Sequence, residues 1–374
     1  MSSATTHIQT EKQLVPELRF KEFEGDWNSD NLGGYCSSIS SGKSSSKDSG
    51  EYPVFGSTGV IATTNNYTHE GENILVARVG ANAGLINRVD GKYGVTDNTL
   101  AVILKDNLNV RFCESFLIKF NLNRLIFGSG QPLITGGLLK GIKIQFPPLP
   151  EQQKIASFLS AVDEKIQQLT KKMELLEQYK KGVMHQLFSG QLRFKDENGN
   201  PYPEWEEKRL SDVSLIKKGE QLNKIELTEN GLYPSLSGGM GPSGYTNKWN
   251  TPENTITISE GGNSCGYVGL SISKFWCGGH CYSLLEVIES VYNSYLFQVL
   301  KYNEQRIMRL RVGSGLPNIQ MKDLSVFNLD FPCLEEQQKI ATYLSSIDTK
   351  IEAVNKQITQ TQTFKKGLLQ QMFV

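Results

Sequence analysis

Apolar residues recur every three or four positions through two long stretches of the chain. In the first, Ile155, Leu159, Val162, Ile166, Leu169, Met173, Leu176, Val183 and Leu187 follow alternating steps of four and three, with Lys180 as the polar member of the seam. In the second, Ile340, Leu344, Ile347, Ile351, Val354, Ile358, Leu368 and Met372 keep the same register, interrupted at Thr361 and Lys365. Heptads sustained this far predict one coiled-coil helix in each stretch. A helix of about 38 residues is a rod of roughly 55 Å. Two such seams in one chain are expected to bury each other in antiparallel fashion and to hold two domains a fixed distance apart. Pro147, Pro148 and Pro150 precede the first stretch and Pro332 the second, as where extended chain turns into helix.

The two stretches are copies. Residues 151–188 align without a gap onto 336–373, an offset of 185, with 17 of 38 positions identical. A period this long means two whole domains and not a solenoid. Between the helices only landmarks recur: Tyr52-Pro53 answers Tyr233-Pro234 and Glu72-Asn73 answers Glu253-Asn254 at an offset of 181. Gly80-Ala-Asn-Ala-Gly84 answers Gly262-Asn-Ser-Cys-Gly266 at 182, and Gly128-Ser-Gly130 answers Gly313-Ser-Gly315 at 185. Insertions and deletions therefore fall inside the domains. Short β-like runs at 73–79, 100–104 and 141–146, and at 255–259, 282–287 and 324–331, lie between glycine and asparagine turns. Helices are expected at 112–125 and 291–310, which makes each domain mixed α/β with its specificity on loops. Leu192-Arg193-Phe194 follows the first long helix, whereas the second ends at Val374 and its Leu-Arg-Phe stands at Leu18-Arg19-Phe20. The N-terminal arm is thus expected to complete the second repeat, a pseudo-circular, pseudo-twofold arrangement in which Trp27 and Trp205 open the two domains.

Composition narrows the function classes. No run of about 18 apolar residues exists and residues 1–13 are polar, which argues against membrane and export readings and for the cytoplasm. Lys plus Arg equals Asp plus Glu, 39 each, so global charge gives no support for nucleic-acid binding. None of the six cysteines recurs at its repeat-equivalent position, so reduced thiols are expected and not a disulfide framework.

Phe146-Pro-Pro-Leu-Pro-Glu151-Gln152-Gln153-Lys154-Ile155-Ala156 and Phe331-Pro-Cys-Leu-Glu-Glu336-Gln337-Gln338-Lys339-Ile340-Ala341, each following Gly-Ser-Gly-x-Pro, resemble the specificity subunits of type I restriction-modification enzymes. The resemblance runs from Leu18 to Phe373, and Cys333-Leu334-Glu335 departs from it where Pro-Leu-Pro is usual. It implies a non-catalytic DNA-recognition chain with two tandem α/β target-recognition domains, separated by two long antiparallel helices. The domains are expected at 21–148 and 207–332, the helices at 149–190 and 333–374, a connector at 191–206 and the completing arm at 1–20. It implies as partners double-stranded DNA, read one half-site per domain, two modification (adenine-N6 methyltransferase) subunits on the helices, and restriction (endonuclease/translocase) subunits. S-adenosylmethionine, ATP and Mg are then expected on those partners, with no cofactor and no metal in this chain. Two equivalent helical frames binding two copies of one partner give pseudo-twofold symmetry from a single chain. A separation of roughly 34 Å between domains corresponds to one turn of DNA.

Polar loops carry the candidate DNA contacts. They are Ser44 (in a serine-rich loop at 40–46), Ser57, Thr58, Arg78, Asn82, Arg124 and Ser129 in the first domain. In the second they are Ser237, Asn263, Ser264, Arg306, Arg309, Arg311 and Ser314. Arg, Asn and Ser are groups that reach phosphates and base edges, and they are equally common turn chemistry. Gln152, Lys154, Lys180, Lys181, Gln338, Lys339, Lys365 and Lys366 are the candidate partner-binding residues on the helices, although Lys180 and Lys365 also suit a register-setting role. Four sharper motifs are set aside. Gly239-Met-Gly241-Pro-Ser-Gly244 has no helix after it to cap a pyrophosphate, and Gly42-Lys43-Ser44 lacks the first glycine of a phosphate loop. Asn200-Pro201-Tyr202-Pro203 is not the methyltransferase Asn-Pro-Pro-Tyr, and Cys265, Cys277, His280 and Cys281 lack a standard zinc spacing and any counterpart in the first domain. A coiled-coil scaffold accounts for the helices but not for the paired loop-rich domains. A stand-alone enzyme would need an acid, base or cofactor set, and none occurs in both halves.

Overall fold

The computed structural model describes residues 14–45, 49–126, 131–313, 315 and 317–374. It comprises two units, Met1–Lys171 with Asn355–Val374, and Lys172–Val354. The heptad stretches form the longest helices, Leu149–Phe188 and Leu334–Gln371. Their first residues are repeat equivalents, so the departure at Cys333 leaves the helix start unmoved.

Each unit contains the start of one long helix against the end of the other. In unit 1, Ile155, Leu159 and Val162 pack with Leu368, Met372 and Phe373. In unit 2, Val183 and Leu187 pack with Ile340, Leu344 and Ile347. The pairing is antiparallel in both, as the seams require. Each such side chain contributes about 1.5–3 kcal/mol when fully buried. The two lysines of the seams meet partners across the pair. Lys365 Nζ lies 2.5 Å from Asp163 Oδ1, and Lys180 Nζ lies 2.6 and 2.8 Å from the two carboxylate oxygens of Asp348. Asp163 and Asp348 are themselves repeat equivalents, so the same ion pair is made once in each unit. Solvent reaches Asp348, which is 42% exposed, and reduces what the pair contributes. Lys180→Glu is therefore expected to lower the stability of unit 2 by about 1 kcal/mol. The charge-exchanged Lys180→Glu/Asp348→Lys chain should recover most of that loss in thermal melts; a double variant no better than the single would exclude a register role.

The recognition-sized domains share one plan. In unit 1 an antiparallel sheet runs in the order Cys36–Ser41, Thr99–Leu104, Asn73–Ala77, Ile86–Val89. In unit 2 the order is Leu215–Lys218, Cys281–Leu285, Thr255–Ser259, Val268–Ser271. The central strand is buried at every position in both, because the sheet is covered on its two faces. In unit 1 Ile74 and Val76 face the helix Val110–Phe120 through Phe112 and Phe116, while Leu75 and Ala101 face Tyr93 and Val95. Those last residues belong to a second sheet, ordered Gly59–Thr64, Tyr52–Gly56, Lys92–Val95, His69–Glu70. Its counterpart in unit 2 is Gly244–Thr246, Tyr233–Leu236, Trp276–Cys277. Two-stranded ladders, Asn28–Asn31 with Lys143–Phe146 and Glu206–Arg209 with Asn328–Phe331, lead into the long helices.

Several boundaries differ from expectation. The helix expected at 112–125 ends at Phe120, where Asn121 takes a left-handed φ of 58°, and continues as a 3-10 turn, Leu122–Leu125. That expected at 291–310 divides into Asn293–Tyr302 and Glu304–Met308 at Asn303, whose side chain donates to the Val299 carbonyl at 2.8 Å. The run expected at 324–331 begins inside a short helix, Met321–Ser325, and only Asn328–Phe331 is strand. Ser40 and Ser41, placed in a loop by their composition, end the edge strand Cys36–Ser41.

Candidate nucleic-acid interface and its frame

Four loops are tied together by hydrogen bonds at one end of the main sheet in each unit. The central strand of unit 1 runs into Arg78, whose amide donates to the Asn98 carbonyl at 2.9 Å and whose carbonyl accepts from Ile134 at 2.8 Å. Gly80 N donates to Pro132 O at 3.1 Å, and Thr96 N to Phe55 O, at the foot of the Ser57-Thr58 hairpin turn, at 3.0 Å. Unit 2 repeats these bonds: Glu260 N to His280 O at 2.9 Å, Ile319 N to Glu260 O at 2.8 Å, Gly262 N to Pro317 O at 3.1 Å, and Gly278 N to Leu236 O at 2.8 Å. The Gly-x-x-x-Gly landmark has a geometric cause. Gly80 and Gly262 have φ of 77° and 75°, and Gly84 and Gly266 both have 90°, values that L side chains rarely adopt. A Cβ on Gly84 would also stand 2.6 Å from Asn123 Oδ1, and one on Gly266 2.8 Å from Met308 Cγ. The loop is thereby pressed against the turn that carries Arg124 or Arg309.

The Glu-Gln-Gln phrase builds the frame under these loops. The buried Glu151 carboxylate accepts two hydrogen bonds from Arg19, Nε and Nη2 at 2.8 Å each, and Arg19 also donates to the carbonyls of Glu24 and Gly25. Buried Glu336 accepts from Arg193 Nε at 3.2 Å and Nη2 at 2.8 Å, and Arg193 donates to the carbonyls of Tyr202 and Pro203. Their carboxylates hold both guanidinium pKa values above the ordinary arginine value. The backbone repeats as well: Leu18 N donates to Gln371 O and Leu192 N to Gln186 O, each at 2.9 Å. The next glutamine is a staple. Gln152 accepts from Asn109 N at 2.8 Å and donates to Asn107 O and Pro147 O, while Gln337 accepts from Tyr292 N at 2.8 Å and donates to Ser290 O and Pro332 O.

The profile of the type I restriction modification DNA specificity domain matches the chain twice, over residues 24–178 and 202–362. The chain belongs to this family of specificity subunits. It is a DNA-recognition chain of a type I system, not a catalytic one. It is 27% identical over 421 aligned residues to the MjaVIII specificity subunit of Methanocaldococcus jannaschii, covering 96% of this chain and 95% of that one. It is 34% identical over 179 residues to a putative type I specificity subunit of Mycoplasma pneumoniae, covering 46% of this chain and 47% of the relative. The fold is similar to the crystal structure of the type I system S subunit from M. genitalium, with a TM-score of 0.71 at 21% identity over 96% and 99% of the two chains.

Within this specificity subunit the loop candidates divide by place. Ser57, Thr58, Arg78 and Asn82, and likewise Ser237, Asn263 and Ser264, lie on the four-loop end of their domains, with Asn82 and Asn263 exposed. Ser44 sits lower, its hydroxyl accepting from Val95 N at 3.1 Å. Exposed Arg124 stacks on Phe120 at 4.9 Å, and exposed Arg306 on Phe327 at 5.1 Å while donating to Asn303 Oδ1 at 2.8 Å. Arg309 and Arg311 are exposed, and Arg311 partly offsets the rise that burial imposes on the Cys265 thiol. Ser129 and Ser314 lie outside the described residues.

The helix candidates differ in exposure. Gln152 is 1% exposed and engaged in its staple, while half-buried Lys180 and Lys365 pair with Asp348 and Asp163. Lys154, Lys181, Gln338 and Lys366 are exposed; Lys154 pairs with Glu22, and half-buried Lys339 donates to the Lys195 carbonyl at 2.7 Å. Among the described residues no group of three or more His, Cys, Asp or Glu is placed to hold a metal ion, and no helix is long and apolar enough to cross a membrane. Sequence reasoning missed Lys218, Glu260 and Tyr282 beside His280. Shifting the chain by 182 sets Glu260 on Arg78, a signal already present in the Gly-x-x-x-Gly landmark.

Proposed function

We propose that this specificity subunit reads a split, asymmetric DNA site, one half per domain, and holds two adenine-N6 modification subunits on its two helical frames. The observation that carries the reading is one hydrogen-bonded loop frame, built twice, with different side chains on each copy. A common frame presents the loops to the groove in the same way, and the side chains on it set the bases accepted. The helices support the partner count. Their exposed faces repeat Gln153 as Gln338, Lys181 as Lys366 and Tyr179 as Phe364, the last two 52% and 55% exposed, so two copies of one partner meet equivalent contacts. S-adenosylmethionine then belongs to the modification subunits, ATP and Mg to restriction subunits that join the core, and the complex works in the cytoplasm. Base flipping and methyl transfer fall to the partner.

Sequencing N6-methyladenine in a host that expresses the chain with its cognate modification subunit, against a host lacking only this chain, tests the reading. A split motif is expected only when the chain is present, and exchanging residues 207–331 for those of another specificity subunit should rewrite one half alone. No chain-dependent methylation, with the partner bound and active, would return the scaffold reading.

A further inference from the structure

Arg78 and Glu260 occupy one position of the common frame, and their neighbours correspond as well. Ser41 pairs with Leu100 and Lys218 with Tyr282 in the equivalent ladder, so one backbone corner carries Ser41, Arg78 and Leu100 in unit 1 and Lys218, Glu260 and Tyr282 in unit 2. Asn98 answers His280 by the bonds already described.

Arg78 is half-buried yet almost unengaged. Among the described residues its Nε is buried without a partner, and the one hydrogen bond of its side chain runs from Nη1 to the Asp97 carbonyl at 3.4 Å. A guanidinium carries five donors in a planar fork, and most of these remain for an acceptor from outside the domain. In unit 2 the charge is inverted and withdrawn. The Glu260 carboxylate is 5% exposed; its Oε1 accepts from Lys218 Nζ at 2.5 Å and from the Tyr282 hydroxyl at 3.1 Å. Among the described residues its Oε2 is buried without a hydrogen bond, 3.8 Å from His280 Nδ1. Burial, and then the Glu260 charge, push the Tyr282 phenol up, so it stays a protonated donor to the carboxylate. Glu260 is too deep to meet a base itself. The group it holds at the surface is Lys218, 48% exposed.

We propose that this corner is a base-reading position in both domains: Arg78 reads a guanine in one half-site, and Lys218, held by Glu260 as a positioning residue, reads a guanine at the corresponding place in the other. Guanine presents two acceptors, O6 and N7, to the major groove, and Arg and Lys are the side chains that pair with them. The inference rests on the proposed reading of a split DNA site.

The test uses the full chain assembled with its modification subunit and the methylated motif as the readout. Arg78→Gln replaces the fork by an amide suited to adenine N6 and N7. It should shift one position of one half-site from guanine toward adenine, with about ten- to hundredfold loss of the original discrimination, and leave the other half untouched. Lys218→Gln should act likewise on the other half alone. Glu260→Gln should blur that same position, and Glu260→Asp should restore part of the preference, which a purely structural carboxylate would not do. Arg78→Lys, close in bulk and charge, should keep a weakened preference for guanine. Uniformly weaker methylation with the motif unchanged would mean phosphate contacts and overturn the inference, as would a change in both halves at once. An unsubstituted chain that yields no split motif would overturn the proposed function with it, whereas a split motif indifferent to all these substitutions overturns this inference alone.

Discussion

Arg19→Ala should destabilise unit 1 by about 3–5 kcal/mol, the usual cost of removing one partner from a buried ion pair. The cause is the carboxylate left behind: Glu151 has a side-chain exposure of 1% and accepts both of its charged hydrogen bonds from Arg19. The loss should be confined to unit 1, because the equivalent clamp of unit 2, Arg193 on Glu336, is made from its own residues. A chain of two units need not unfold in one step, so the informative measurement is hydrogen exchange resolved by segment. Protection should fall across 73–77 and 99–104 and persist across 255–259 and 281–285. Arg19→Met/Glu151→Leu should recover much of the stability, since an apolar pair of similar volume removes the unpaired charge. If the single variant costs less than about 1 kcal/mol, the clamp behaves as a surface pair and the arm is held by something else.

Phe373→Ala is expected to be as damaging, about 3–5 kcal/mol, although it changes the residue next to the last. Phe373 is 3% exposed and its ring lies 5.0 Å from that of Phe112, 6.3 Å from Trp27 and 6.5 Å from Phe116. Its removal opens a cavity between the helix that backs the main sheet and the tryptophan that begins the domain. Lys119 Nζ, bonded at 2.8 Å to the Phe373 carbonyl, fixes the same point from outside the ring cluster. Phe373→Leu should recover a large part of the loss. Thermal melts of both variants decide the matter: near-equal values for alanine and leucine would mean the site collapses around the gap.

The scaffold was legible in the sequence because repetition exposes it. Gln152 and Gln337 recur because each must satisfy three equivalent backbone groups, Lys180 and Lys365 because each meets the equivalent aspartate, and Gly80 and Gly262 because their backbone needs a positive φ. Strand Tyr52–Gly56 was less visible: it carries Pro53 and Gly56, types that strands disfavour, and its pairing with Lys92–Val95 is long-range. The candidate interface was legible only as a set of loops. Glu260 stands just before the Gly262–Gly266 landmark, and nothing local reveals that its carboxylate points inward to Lys218 and Tyr282. Likewise nothing local distinguishes the members of the repeated Glu-Gln-Gln phrase, whose first two residues face inward while the third is exposed.

The Leu18 to Gln371 bond and the burial of Phe373 impose an order on biosynthesis. Unit 1 includes Asn355–Val374, with Leu368, Met372 and Phe373 in its core, while unit 2 is the continuous stretch Lys172–Val354. The domain translated first is therefore finished last. Its apolar helix face around Phe112 waits on the ribosome while the 183 residues of unit 2 are synthesised, roughly 10 to 40 s at about 5 to 20 residues per second. A nascent chain of this design depends on its first domain staying soluble through that interval, and any chaperone that helps it has its window between the synthesis of residue 171 and that of Phe373.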